Sequence, residues 1–530
     1  MMGATTEIGS DASMASAEDA RTWRTDRRSG RWSLIAGVLV LAAAMVFHAV
    51  VLYGSGAPAG IDSGNWLAFG RDLVGTDVKP DGVVYPPIVP LLVLAGVSMF
   101  GPGAGIAVIG GLAAVAPAAA AFLVLRWAGL GGWAVALAAI LAFAPGLGEI
   151  AAWGGYPQLL AAPAAVMLLW WLDRWIATGR RTALIVAVVG AVLVLAISHF
   201  AALVTAACVA ILVAVRTAVT TRGGRGRALR RAGVALGASL VAASPLLLVY
   251  GRLAPAVLST QAGLSAVPTL SLSRVPSRFV DIHGGAAASV LVLGLAAGVL
   301  AIVLAPPHGR DTLWVLTAAL LGGVVATLLW THEPRVLYEV PLVAAVGIGA
   351  LVRELLRAPD RRRWVAVSAA GLLIVALGVT SVSGITVFRR QRADYAVADE
   401  AISAALRWVR EATPERALVA APALGSVPLG WWIEGLGERQ AVAAAPAEWL
   451  VYPQERRIAT RARRLFAALE RDVAAGLREA DRLGVDYLFV PKATPTYELL
   501  LVDIEAGRLE AVFENAGVVI FRAPAPEGSP

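Results

Sequence analysis

Between Trp32 and Phe388 the chain repeats apolar runs of about 15 to 25 residues, parted by short connections rich in arginine. Inside a bilayer no water satisfies the backbone, so such a chain must cross as helices that bond every peptide group internally. Composition agrees, with 58% of the residues hydrophobic and 15% charged, well away from soluble globular domains. The formal net charge of +8 would suit nucleic acid. The basic residues, all Arg except Lys79 and Lys492, instead cluster between apolar runs, where they orient spans, and this placement argues against nucleic acid as a partner. The single cysteine, Cys208, lies within an apolar run, so no intrachain disulfide forms.

The first run, Trp32 to Tyr53, follows a polar segment holding Arg21, Arg24, Arg27, Arg28 and Arg31. This pattern predicts an uncleaved signal anchor behind a cytoplasmic, disordered segment 1–31, although Ala57-Pro58-Ala59 faintly resembles a cleavage site. Further runs fall near 86–100, 103–127, 131–147, 158–176, 182–198, 199–215, 233–250, 288–305, 312–330, 336–352 and 364–388. The basic loops at Arg174 to Arg181, Arg216 to Arg231 and Arg353 to Arg363 should all be cytoplasmic. That holds only if one early run does not cross. The run 86–100 is short for a span, opens with Tyr85-Pro86-Pro87 and contains Pro90. The expectation is a polytopic α-helical membrane domain over 32–388, with about eleven crossings and one short helix at the outer face. A crossing 86–100 helix would instead place residues 389–530 in the cytoplasm.

On the first topology the outward connections hold Asp62, Glu149, Trp153, Tyr156, His199, Asp281, His283, His332, Glu333 and Arg335. The first outer loop also carries Asp72, Asp77 and Asp81. After Phe388 the composition changes, and residues 389–530 read as an extracytoplasmic α/β domain. Ala393 to Glu411 has the period of an amphipathic helix, Arg456 to Leu483 that of a long one. Ala417 to Ala421 and Asp486 to Val490 read as strands, and Leu509 to Asn515 with Val518 to Arg522 as a closing hairpin. Arginine over lysine and abundant alanine point to a GC-rich bacterial source, hence a multi-pass plasma-membrane protein with its N-terminus cytoplasmic.

A carboxylate held against lipid needs a reason, because desolvating it costs several kcal/mol by typical values, about 2 to 4 at a helix centre. Asp62, in Gly60-Ile61-Asp62-Ser63-Gly64-Asn65-Trp66, is such a residue. It can serve as a base toward a substrate that sits in the membrane, or it can be a solvated loop residue or a cap for the helix that follows. Arg335 faces outward against the positive-inside trend, where a guanidinium can fork onto a phosphate or simply snorkel. His332 beside it can share that phosphate or end a helix.

Trp153-Gly154-Gly155-Tyr156 fits a tight turn with aromatic rings at the interface, and equally a surface for a sugar face. His199, His283 and His332 share a side with Asp62 without metal-ligand spacing. A carrier should show ionisable residues near mid-bilayer, and His48 is the one clear case, which argues against transport.

The layout resembles the GT-C superfamily of membrane glycosyltransferases. An acid, Asp62, follows the first span; Tyr85-Pro86-Pro87 leads a short helix; Thr331-His332-Glu333-Pro334-Arg335 forms a late outward turn; and an outer domain closes the chain. Gly430-Trp431-Trp432-Ile433-Glu434-Gly435 is similar to the Trp-Trp-Asp-Tyr-Gly acceptor motif of oligosaccharyltransferase catalytic subunits, with Ile433 and Glu434 departing from it. A more distant similarity to protein mannosyltransferases goes with the same layout.

The resemblance implies hexosyl or pentosyl transfer from a polyprenyl-phosphate-linked sugar to an extracytoplasmic glycan or protein acceptor, in cell-envelope assembly. Asp62 would be catalytic, Arg335 and His332 would bind the donor phosphate, and Tyr85, Trp153, Tyr156, His199, Trp431, Trp432 and Glu434 would line the substrates. No resident cofactor is implied with certainty, and a divalent metal stays open because no Asp-x-Asp pair occurs in the outer loops. The alternatives are a non-catalytic GT-C-like protein of envelope assembly and a lipid-linked-sugar carrier.

Overall fold

The computed structural model describes residues 11–54, 60–75, 85–263, 271–305, 310–357, 360–422, 428–443, 445, 447, 450, 453–505 and 509–523. Asp77, Asp81 and Ala57-Pro58-Ala59 lie outside them. The first helices are α1 (Asp11–Tyr53), α2 (Ser63–Leu73), α3 (Ile88–Phe100), α4 (Pro102–Trp127), α5 (Gly131–Leu141), α6 (Pro145–Trp153) and α7 (Tyr156–Thr178). The bundle continues through α8 (Arg181–Ile197), α9 (His199–Val219), α10 (Arg225–Gly263), α11 (Val275–His283) and α12 (Gly285–Leu304). It ends with α13 (Thr312–Thr331), α14 (Val340–Leu356) and α15 (Asp360–Asp394). Residues 11–31 are helical, where their polar composition predicts disorder; alanine, glutamate and arginine propagate the helix back from the first span.

Among the described residues nine helices are long and apolar enough to cross a bilayer, and α5 with α6, bent by 54°, supplies a further broken span. α8, at 17 residues, returns the chain from the far end of α7 to the start of α9. The protein is thus a multi-pass helical membrane protein with a small C-terminal sheet. α3, at 13 residues, is too short to span. α4 runs antiparallel to α1, with Gly37 against Phe122, Gly111 against Met45 and Ala49, and Gly110 against Leu52. The chain therefore leaves α1 and enters α4 at one end of the bundle, and α2 and α3 both stay at that end.

The break between α5 and α6 frees backbone carbonyls, and other helices answer them. His48 Nε2 donates to the Ala142 carbonyl at 2.7 Å, and Ser381 Oγ donates to that of Ile140 at 2.9 Å. Through such contacts α15 is tied to the bundle before it leaves. Phe388 packs edge-on against His48 at 5.0 Å, and Arg392 donates to the carbonyls of Leu52 at 3.2 Å and Tyr53 at 3.4 Å. At the opposite end of the bundle, Arg216 grips the fully buried Asp173 through two 2.5 Å bonds.

The C-terminal domain comprises α16 (Glu400–Ala412), β1 (Leu418–Ala420), α17 (Leu429–Gly435), β2 (Gln440–Ala441), α18 (Pro453–Leu469) and α19 (Val473–Leu483). β3 (Tyr487–Pro491), α20 (Pro495–Glu505), β4 (Glu510–Glu514) and β5 (Val518–Arg522) complete it. The sheet order is β2-β1-β3-β5-β4, with β1 parallel to β2 and β3, and β5 antiparallel to β3 and β4.

Alternation along β3 and β5 feeds two cores. Tyr487, Phe489, Val518 and Ile520 join Ile402, Leu406 and Val409 of α16 in the core that continues into the bundle. Leu488, Val490, Val519 and Phe521 face Leu465, Phe466 and Leu469 of α18. The single helix expected over Arg456 to Leu483 is two: it stops after Leu469 and restarts where the Asp472 carboxylate accepts from the Ala474 N–H at 3.0 Å. Likewise α16 begins at Glu400, capped by Asp399, which accepts from the Ile402 N–H at 2.7 Å.

Candidate functional site

Asp62 sits at the start of α2, where its backbone is helical and its side chain makes no cap bond. The helix that follows therefore does not use this carboxylate as its cap. The loop is held through the backbone instead: the Asp62 N–H donates to the Trp153 carbonyl at 3.0 Å, and Trp66 Nε1 donates to the Gly154 carbonyl at 2.6 Å. Ser63 Oγ and the Tyr156 hydroxyl share a bond at 3.1 Å. Gly154 takes φ of 98°, and a Cβ there would lie 3.1 Å from both the Asp62 Cβ and its nitrogen, so this approach requires glycine. Trp153 and Tyr156, expected from the sequence as interface rings or sugar contacts, thus act on the position of Asp62.

Burial drives the Asp62 pKa up to about 7, against the pull of the nearby Arg335 guanidinium. The residue keeps part of its surface open, so it lies in a recess and not in the core. Tyr85 stands at the same recess. Its ring packs on Trp66 at 4.6 Å, on Phe69 at 5.6 Å and on His199 at 5.4 Å. Burial raises the phenol well above its usual range, and the charges of both Arg335 and Asp62 reach it. His199 opens α9 after Ser198, whose hydroxyl accepts from the Ala201 N–H at 3.2 Å, and its far side meets Tyr250 at 4.3 Å.

Arg335 belongs to a 3₁₀ turn, Pro334–Glu339, between α13 and α14. Its guanidinium rests on Glu333 at 3.0 Å and over the Phe200 ring at 4.8 Å, with its side chain 48% exposed. Gln158 holds the turn, donating at 2.9 Å both to the Arg335 carbonyl and to Glu339. His332 ends α13 in a left-handed conformation, φ 53°, and donates its N–H to the Leu328 carbonyl at 2.9 Å. The described contacts tie its imidazole to none of Asp62, Tyr85 or Arg335.

Beside this turn lies an open apolar groove of about 670 Å³, walled by Phe279, Val292, Val325, Leu328 and Leu337 among others. Glu149 lies apart, accepting from the Tyr395 hydroxyl at 3.0 Å. His283 donates to the Leu337 carbonyl at 3.2 Å.

Trp431, Trp432 and Glu434 are buried in α17, which packs on α2. Gly64 meets the Trp431 carbonyl and Gly435 meets the Gly64 carbonyl, backbone against backbone. Arg71 seals this seam, donating to the Gly435 carbonyl at 2.9 Å and pairing with Glu438 at 2.7 Å. Among the described residues no three His, Cys, Asp or Glu side chains gather as metal ligands, and the charged group that acts on Asp62 is a cation. Sequence reasoning gave no role to Trp66 and Gln158, although both stand in motifs it singled out, and passed over Phe200 and Tyr250 as ordinary span residues.

No protein-family model and no curated sequence matches the chain. Solved structures do. ArnT from Cupriavidus metallidurans matches in its apo state with a TM-score of 0.56 and 15% identity, over 93% of this chain and 98% of that one. The same protein bound to undecaprenyl phosphate matches with a TM-score of 0.55 and 14% identity, over 93% and 99%. The oligosaccharyltransferase AglB from Archaeoglobus fulgidus, in complex with an inhibitory peptide and a dolichol-phosphate, matches with a TM-score of 0.54 and 14% identity, over 92% and 74%. At such identities the likeness is one of architecture. The chain is a distant structural relative of these proteins and shares their overall architecture.

Proposed function

We propose that this protein is a membrane glycosyltransferase that moves a sugar from a polyprenyl-phosphate-linked donor to an acceptor outside the cytoplasm. The observation that carries this reading is the convergence of Asp62 and Arg335, 273 positions apart in the sequence (335 − 62), at one recess beside an apolar groove. The groove suits the polyprenyl chain, and Arg335 at its end suits the phosphate. The undecaprenyl phosphate and dolichol-phosphate of the neighbouring structures support a lipid phosphate as the ligand class.

In the reaction, an acceptor hydroxyl oxygen bonds to the anomeric carbon while the bond from that carbon to the phosphate oxygen breaks. Asp62 takes the hydroxyl proton, and its pKa of about 7 suits a base working near neutrality. The departing lipid phosphate keeps the bonding electron pair. Arg335 turns from Glu333 to that phosphate and offsets its charge by a forked pair of bonds. Tyr85, within reach of both charges, and His199, packed on its ring, hold the recess in shape.

The orientation follows from charge. Arg180, Arg181, Arg222, Arg225 and Arg231 lie at the end of the bundle opposite Asp62, which supports a cytoplasmic placement of that end, with the recess and C-terminal domain outside a bacterial plasma membrane. Asp62→Asn and Arg335→Ala, assayed in solubilised membrane with labelled polyprenyl-phosphate sugars, test the reading. Both should abolish most transfer, and full turnover in either variant removes that residue from the mechanism.

A further inference from the structure

The C-terminal domain contains a cavity that sugar transfer at Asp62 does not use. It holds about 370 Å³ and opens beyond the carboxyl ends of three parallel strands, with Ala421 following β1, Ala443 following β2 and Thr494 following β3. From β1 the chain moves to β2 on one side, then crosses to β3 on the other. Connections that diverge in this way leave a crevice between them, the usual ligand position of open α/β sheets. The volume falls within the range of ligand pockets, about 300–1,000 Å³.

The chemistry of the wall is specific. α18 presents Arg463 and Phe466 to the cavity, and Glu470 lines it just past the helix end. Arg463 is exposed and makes no hydrogen bond or ion pair among the described residues. Glu470 accepts from the Thr496 hydroxyl at 3.2 Å. Seven residues separate the two charges (470 − 463), which is two helical turns or about 10 Å at 1.5 Å per residue. Small residues such as Gly430 make up most of the rest and leave room.

We propose that this cavity binds a neutral carbohydrate, one or two sugar units lying along α18 between Arg463 and Glu470. A strong anion would meet Glu470 and a cation would meet Arg463. The two charges of an α-amino acid sit on one carbon and cannot reach both. A sugar has hydroxyls at its edges that accept from the guanidinium and donate to the carboxylate, and a C–H face for Phe466.

The cavity lies one short helix from the recess: Gly430 lines it, and the next residue, Trp431, backs onto Gly64, two positions from Asp62. It therefore retains the acceptor glycan close to the transfer point. Naming the ligand as the acceptor rests on the glycosyltransferase reading; carbohydrate binding by itself does not.

The test uses the full chain in nanodiscs, with saturation-transfer NMR and titration of maltotriose, mannotriose and xylotriose, and methyl phosphate as an anionic control. At least one trisaccharide should bind, at least tenfold more weakly in Arg463→Ala and in Ala462→Trp, and undiminished in Asp62→Asn. Arg463 is exposed, so its variant should keep the native melting temperature even if the cavity-filling one does not.

Binding of none of the trisaccharides, binding untouched by Arg463→Ala, or preference for methyl phosphate each overturns the proposal. Wild-type trisaccharide binding without any sugar transfer would sink the enzymatic reading and leave this site standing. Transfer without trisaccharide binding would do the reverse.

Discussion

On the proposed mechanism Asp62 carries a cost for the fold and a benefit for the reaction, and pH separates them. As the base, it must be ionised, so transfer should rise with pH along a limb centred near its pKa of about 7. Asp62→Asn should remove that limb and lower kcat by about 10²- to 10⁴-fold, the usual reach of general-base catalysis. Stability should move the other way. The carboxyl titrates near 3.8 when exposed and about 7 when folded, so the native state binds more protons between those values and loses stability as pH rises through them. Asp62→Asn should therefore raise the melting temperature at pH 8 and hardly change it at pH 4, a difference that a pair of thermal scans would show.

Arg335→Ala should weaken donor binding by about 10- to 100-fold in KM, the value of about 1.5–3 kcal/mol for bonds to a charged group. Arg335→Lys should restore little of it, because an ammonium lacks the planar fork; full rescue by lysine would show that only net charge matters. Asp62 and Arg335 were legible in the sequence because a charge at a lipid edge is conspicuous. Trp66, Tyr250 and Gln158 were not, since their roles rest on contacts such as Gln158 with Arg335, 177 positions away, which no local pattern announces.

Elements tell a similar story. Charge parity identified the run that does not cross, and the antiparallel descent of α4 beside α1 confirms it for α3. The long apolar runs were readable because periodicity accumulates over many residues, whereas α17, at 7 residues, and β2, at 2, are too short to carry a period. The break between α18 and α19 was invisible for another reason: apolar residues keep helical spacing across it, and the hairpin is fixed by Leu469 packing on Gly476.

The seam of α2 and α17 deserves its own test. The Gly435 Cα faces the Gly64 carbonyl so closely that a methyl group would force two backbones apart. Gly435→Ala should cost about 1–3 kcal/mol, as overpacking does. It should also lower transfer, because α2 begins beside Asp62. A variant with unchanged melting and turnover would show that the seam does not position the loop.

For the whole molecule, sidedness is the testable property. Cys208 is the only cysteine and is 2% exposed, so the native chain offers a silent background for thiol labelling. A membrane-impermeant maleimide should label Arg478→Cys, on the C-terminal domain, in intact cells. It should reach Arg227→Cys, in the basic first turn of α10, only after permeabilisation. The opposite pattern would invert the assigned orientation and place the recess in the cytoplasm.

The anchorage of α15 has a further consequence. With Arg392 latched to the end of α1 and Phe388 wedged against His48, the chain leaves the bundle from a fixed point, and the C-terminal domain should keep one pose above it. On the proposed function, traffic would then pass through doorways that stay put: sideways from the lipid for whatever carries a long tail, and from the water for whatever does not.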